Sequence, residues 1–183
     1  MKPMSLDGVV AVMTFQPRLE NAGEEKKGAS TLHFVATCPN AILDQFEPQL
    51  RAAFYRRELK TDEPADLADQ GAAPEDGLVR IKFRRIDGMI EWSEEFTEYA
   101  LAIDYGIAAE PPIKLSPVKV DGVMLTMRDG GSVIVKFRVA AHPNEDQAGK
   151  LYTLNGREVT IDMGPSPDPK KGQGDLIDDG KGK

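Results

Sequence analysis

The sequence predicts an α+β protein, mainly antiparallel β-sheet with two helices, on three observations. Short β-branched and apolar runs alternate with turn chemistry, only two segments carry helical spacing, and a strand–strand–helix order occurs twice. The hexapeptides VATCPN (35–40) and VAAHPN (139–144) share four of six letters, and each closes an apolar stretch and opens a helical one. They are preceded by Asp7-Gly8-Val9 and Asp121-Gly122-Val123, which gives repeat-like units over 7–57 and 121–163. Proline ends a central strand because it has no N–H to donate, and asparagine accepts from the first orphan N–H groups of a helix. Duplication and independent selection of the same corner both account for the pair.

The elements follow in order. Residues 8–16, GVVAVMTFQ, are apolar and β-branched enough for a first strand. PRLENAGEEKKGAS (17–30), with Pro, Gly and mixed charge, reads as a solvated loop. STLHFVAT (30–37) alternates Leu32, Phe34 and Ala36 against Thr31, His33 and Val35, a strand pairing back on the first. Asn40 is placed to cap a helix with the face Leu43, Phe46, Leu50, Ala53 and Phe54, and Pro48 forces a kink or a restart. The acidic, proline-punctuated stretch 60–77 predicts an exposed loop.

LVRIKFRR (78–85) and GMIEWSE (88–94) predict a hairpin, and EYALAIDYG (98–106) a half-buried strand; 78–106 is thus a central β insertion. VKVDGVMLTMRDGGSVIVKFRVAA (118–141) is a hairpin turning at Asp129-Gly130-Gly131. Asn144 with Gln147 forms a capping box for a helix with the face Ala148, Leu151, Tyr152 and Leu154, stopped at Asn155-Gly156. REVTIDMG (157–164) is the last strand. Residues 1–164 therefore read as a single α+β domain and 165–183 as a flexible tail.

Composition narrows the function classes. Of 183 residues 40% are apolar and 29% charged, the profile of a soluble globular protein. Thirty acidic against 23 basic residues, net charge −7, disfavour passive adhesion to nucleic acid or an anionic membrane. A lone cysteine, Cys38, permits no intramolecular disulfide and suits a reducing cytoplasm, and no apolar run is long enough to span a bilayer.

No catalytic motif is present: no phosphate-binding GxxxxGK[ST] loop, no GxSxG elbow, no EF-hand spacing. His33, Cys38 and His142 lack the paired short spacings of a zinc site, and no cofactor is expected. Glu91, Glu94, Glu95 and Glu98 crowd around Trp92, Phe96 and Tyr99, and clustered acids at a hairpin end form a solvated rim. The positive signal is VRIKFRR. Period-two geometry puts Arg80, Lys82 and Arg84 on one strand face and Val79, Ile81 and Phe83 on the other. Such a row can track a phosphate backbone, with Lys136 and Arg138 in support and Trp92 as a stacking platform. Cations on an outward strand also serve simply to prevent edge pairing.

Four stretches carry a family resemblance: FQPRLENAGEE, LDQFEPQLRAAFY, YALAIDYG and GGSVIVKFRVAAHPNEDQAGKLYTLNGREVTIDM. In these the chain resembles bacteriophage proteins of early-region recombination and replication modules. The resemblance implies a phage origin, a place in the host cytoplasm and a role near DNA metabolism. The resulting expectation is a non-enzymatic phage accessory protein that binds single-stranded DNA or partners phage or host recombination and replication proteins. The alternative is a protein–protein module, a virion component or an inhibitor of a host factor, without affinity for DNA.

Overall fold

The computed structural model describes residues 3–22, 25–59, 76–83, 89–106 and 110–167, with the backbone alone for 19–22 and 25–27. Among the described residues nine strands are arranged as β1 (Leu6–Ala22), β2 (Glu25–Pro39), β3 (Tyr55–Arg57), β4 (Leu78–Ile81), β5 (Met89–Trp92), β6 (Phe96–Asp104), β7 (Ile113–Arg128), β8 (Ser132–Ala141) and β9 (Glu158–Pro165). The α-helices among these residues are α1 (Leu43–Phe46), α2 (Leu50–Phe54) and α3 (Glu145–Thr153).

The order β7-β6-β9-β1-β2-β8, with β8 returning to β7, closes a six-stranded antiparallel barrel. This corrects the expected α+β sheet with two helices. Alternation along a strand reports which side chains face inward, but not which strand lies on its second edge. The closing pairing, β2 with β8, joins segments remote in sequence across ten registered pairs from Ser30↔Ala141 to Pro39↔Ser132. β5 is also part of this sheet, lying end to end with β6 along one edge of β7. The expected hairpin of 78–85 with 88–94 therefore does not form: β4 pairs with β3 in a separate two-stranded sheet.

Inward rows fill the barrel with apolar side chains, among them Met13, Leu32, Phe34, Leu101, Ile103, Val120, Leu125, Val135, Phe137, Val139 and Ile161, each at most 2% exposed. Phe34 and Phe137 are opposed across the β2–β8 pairing and stack with centroids 5.2 Å apart. β2 and β8 run antiparallel, so the helices that follow them lie at opposite ends. At one end α1 contributes Leu43 and Phe46, and Tyr55 donates its hydroxyl to the Arg128 and Ser132 carbonyls at 3.0 and 2.5 Å. At the other, Leu151 and Leu154 of the α3 segment are buried, and Asn155 Oδ1 accepts the Phe15 N–H at 2.9 Å.

Both helical segments carry sequence-legible devices. Asn144 and Gln147 form the capping box, with Asn144 Oδ1 accepting the Gln147 N–H at 2.8 Å and Gln147 Oε1 accepting the Asn144 N–H at 3.0 Å. The first helix breaks at Pro48 into two pieces. Asn40 does not cap it; its side-chain amide instead donates to the Leu78 carbonyl at 2.6 Å, tying the barrel to the small sheet. Residues 17–30, read as a loop, continue both strands through pairs from Pro17↔Ser30 to Ala22↔Glu25. This ribbon runs past the last β2–β8 pair, and its sequence shows no apolar alternation. The segments 60–75 and 168–183 of the expected loop and tail lie outside the described residues.

The two repeat-like units share their start but not their end. Gly8 and Gly122 both have φ +59°, and each lies at a register shift, between Leu6 and Val9 on β9 and between Asp121 and Met124 on β8. Glycine adopts this left-handed conformation without a Cβ penalty. The hexapeptide copies, by contrast, are out of phase: Val35 points outward at 41% exposure whereas Val139 is fully buried. A one-residue offset reverses every side chain of a strand. Their likeness is therefore one of corner chemistry rather than of equivalent side-chain positions.

The bulges yield a paired prediction. Alanine at either glycine incurs the left-handed backbone penalty, about 1–2 kcal/mol. At Gly8 the added Cβ meets nothing within 4 Å, whereas at Gly122 it comes within 2.8 Å of Arg138 Nε. Gly8→Ala and Gly122→Ala are expected to lower the melting temperature comparably. Only Gly122→Ala should shift the Arg138 side-chain N–H resonance.

Candidate functional site

The residues singled out by charge do not assemble on one surface. Arg80 is 1% exposed, packed where β4 meets the β7–β8 turn. Its Nη1 donates to Asp129 Oδ2 at 2.8 Å and its Nε to Glu58 Oε1 at 3.0 Å; Nη2 bonds the same Glu58 oxygen. The hydrogen bonds it donates to Asp129, then to Glu58, raise the guanidinium pKa above its ordinary value, so the charge is retained in place. Asp129 Oδ1 also accepts the Ile81 N–H at 3.1 Å. The expected faces fail at two positions: Arg80 faces inward, and Phe83 is 48% exposed with its ring edge-on to Phe54, while Ile81 packs on the core and Lys82 is exposed as expected.

The rest of that row is dispersed. Lys82 donates its ammonium to the Ala52 carbonyl. Arg84 lies outside the described residues. Trp92 is half-buried with its ring on Phe46, centroids 5.4 Å apart, and its indole N–H is buried without an acceptor among the described residues. Only Lys136 and Arg138 stand where expected, exposed on the outer face of β8. The acidic rim around Glu95 includes an ion pair with Lys119 at 2.8 Å.

The surface that does assemble lies on the outside of β1, β2 and β8. Val12 and Val35 are registered cross-strand partners, and with Val10 they are 41%, 41% and 55% exposed. One register step along, Thr14 opposes His33 and His33 opposes Arg138; Val35 itself opposes Lys136. An aliphatic strip thus adjoins a cationic one. Hydropathy alone assigns Val10 and Val12 to the interior, so the strip went unread although alternation already set Val35 on the outer face. The signal was available in STLHFVAT, where Val35 shares a strand face with Thr31 and His33.

Beside this strip the barrel wall is split. β1 begins at Leu6 but pairs with β2 only from Ala11, while β2 runs on to Pro39 along β8. Between the diverging strands lies a groove of about 600 Å³, lined by Leu6, Val9, Val10, Cys38, Pro39 and Ile42 among others. Ser5 donates its N–H to Gln45 Oε1 at 2.7 Å across one end. Cys38 faces this groove from a buried position, and burial pushes its thiol up to about 11. A thiol so rarely ionised is a packing group rather than a nucleophile. Among the described residues no three His, Cys, Asp or Glu side chains gather as metal ligands.

Comparison with protein-family models, with curated proteins and with solved structures finds no match. No helix among the described residues is long and apolar enough to cross a membrane.

Proposed function

We propose that this barrel is a protein-interaction module. In this reading the outer β1–β2–β8 face receives an extended, aliphatic partner segment flanked by acidic residues. The observation that carries the reading is the exposed Val10–Val12–Val35 strip running into the split between β1 and β2. Contiguous exposed apolar surface on a folded protein is a mark of interaction. A diverging strand pair leaves main-chain donors and acceptors that an added strand can use, with alternate side chains setting specificity. Lys136 and Arg138 beside Val35 match an acidic flank, whereas the net charge of −7 opposes a second copy or a polyanion approaching elsewhere. The single-stranded DNA reading loses support because Arg80 is ion-paired inside and Trp92 is packed on Phe46.

The test uses a short blocked peptide alternating valine and threonine between glutamates. It is expected to bind saturably and to slow amide exchange at Val9, Val10 and Thr37. Val12→Glu and Val35→Glu should each weaken it by about tenfold while the melting temperature holds. Oligodeoxythymidine binding that weakens steeply with salt, in a chain indifferent to the peptide, would overturn the reading in favour of DNA. So would concentration-dependent dimerisation abolished by Val35→Glu, in favour of self-association.

A further inference from the structure

A small polar depression opens on the far side of the cationic strip, about 220 Å³ in volume, with Gln16, Arg18, Thr31, His33 and Arg138 around it. Strand register brings these groups together: Gln16 opposes Thr31, and His33 opposes Arg138. Thr31 is 8% exposed, and its hydroxyl has no hydrogen-bond partner among the described residues. A buried hydroxyl left unpaired is costly, and an acceptor entering the depression relieves that cost.

The arginine is positioned for the task. Asp121 Oδ1 takes Arg138 Nε at 2.7 Å, and the guanidinium lies against Gly122, where any Cβ would stand 2.8 Å from Nε. Asp121 is the one carboxylate lining the depression, and its other oxygen is 3.9 Å from Lys119 Nζ. Its charge is thus already engaged by two cations. Arg18 is exposed, and no ion pair joins it among the described residues. Two guanidinium groups, an imidazole, an amide and a free hydroxyl form a donor set for oxyanion oxygens. The volume suits one small anion and falls below the range of pockets for larger organic ligands.

We propose that this depression is a binding site for a phosphate-class oxyanion, free or carried on a phosphorylated side chain. It shares Arg138 with the acidic flank of the peptide-docking reading, but its other residues lie outside the valine strip. The probe is inorganic phosphate, titrated into isotope-labelled protein at constant ionic strength with chloride as the reference salt. Saturable shifts are expected at Gln16, Thr31, His33 and Arg138, and sulfate should compete. Arg138→Gln is expected to weaken binding about tenfold or more, and Thr31→Val, which keeps the side-chain shape, by several-fold. O-phosphoserine separates the sources: tighter binding than inorganic phosphate assigns the site to a phosphorylated side chain, equal or weaker binding to the free ion, and both support the proposal. Non-saturating shifts spread over all basic residues, or unchanged affinity in both folded variants, would overturn it. Binding of oligodeoxythymidine at these residues with no response to inorganic phosphate would also overturn it.

Discussion

Replacing Arg80 by alanine is expected to lower the melting temperature by about 5 °C, the largest effect of any charged residue described, mostly from lost packing because Glu58 is 56% and Asp129 28% exposed. The substitution removes a side chain packed at 1% exposure and leaves Glu58 and Asp129 facing each other without their shared cation. Asp129 also accepts the Ile81 N–H, so that bond is left as the side-chain tie between β4 and the β7–β8 turn. Arg80→Lys should recover only part of the loss, since one ammonium cannot reproduce the forked contacts to two carboxylates. Arg80→Met combined with Glu58→Gln and Asp129→Asn should be milder than Arg80→Ala alone. A well-packed neutral replacement avoids stranded charges. Thermal denaturation by circular dichroism measures all three. A melting temperature unchanged in Arg80→Ala would show the ion pairs to be incidental.

Phe137→Ala is the second large effect, about 3–5 kcal/mol, from lost transfer free energy and the cavity left in the barrel. Phe137 is 2% exposed and stacked on Phe34 at the pairing that closes the ring. Phe137→Leu should cost less, because the remaining aliphatic volume limits the cavity. The double variant Phe34→Ala/Phe137→Ala should destabilise by less than the two single losses together. Residues in contact share one interaction and one cavity. Urea unfolding of the four proteins measures the coupling, and strict additivity would argue that the stacked pair acts as two separate packing groups.

Local chemistry was legible in the sequence. The capping box at Asn144, the restart after Pro48, the Gly130-Gly131 turn and the inward row Leu32, Phe34 and Ala36 of β2 all follow from propensity and period. The closed barrel was not, because it is decided by edge pairing between remote strands, which leaves no local signature. The site fared similarly. Lys136 and Arg138 lie on the outer face as alternation predicts, since β8 is long and regular. Arg80 fails because β4 is only four residues and packs on a turn bearing Asp129, so an ion pair outweighed the pattern. The valines were hidden by a reasonable rule, that aliphatic side chains face inward.

The β2–β8 junction has a temporal consequence. It unites stretches about a hundred residues apart, so during synthesis β1 and β2 leave the ribosome long before the strand that completes them. Until then β2 has an unpaired hydrogen-bonding edge, and Leu32 and Phe34 lack the β8 side chains that bury them. Assembly is thus expected to be governed by the arrival of the C-terminal third, with the early hairpin held waiting.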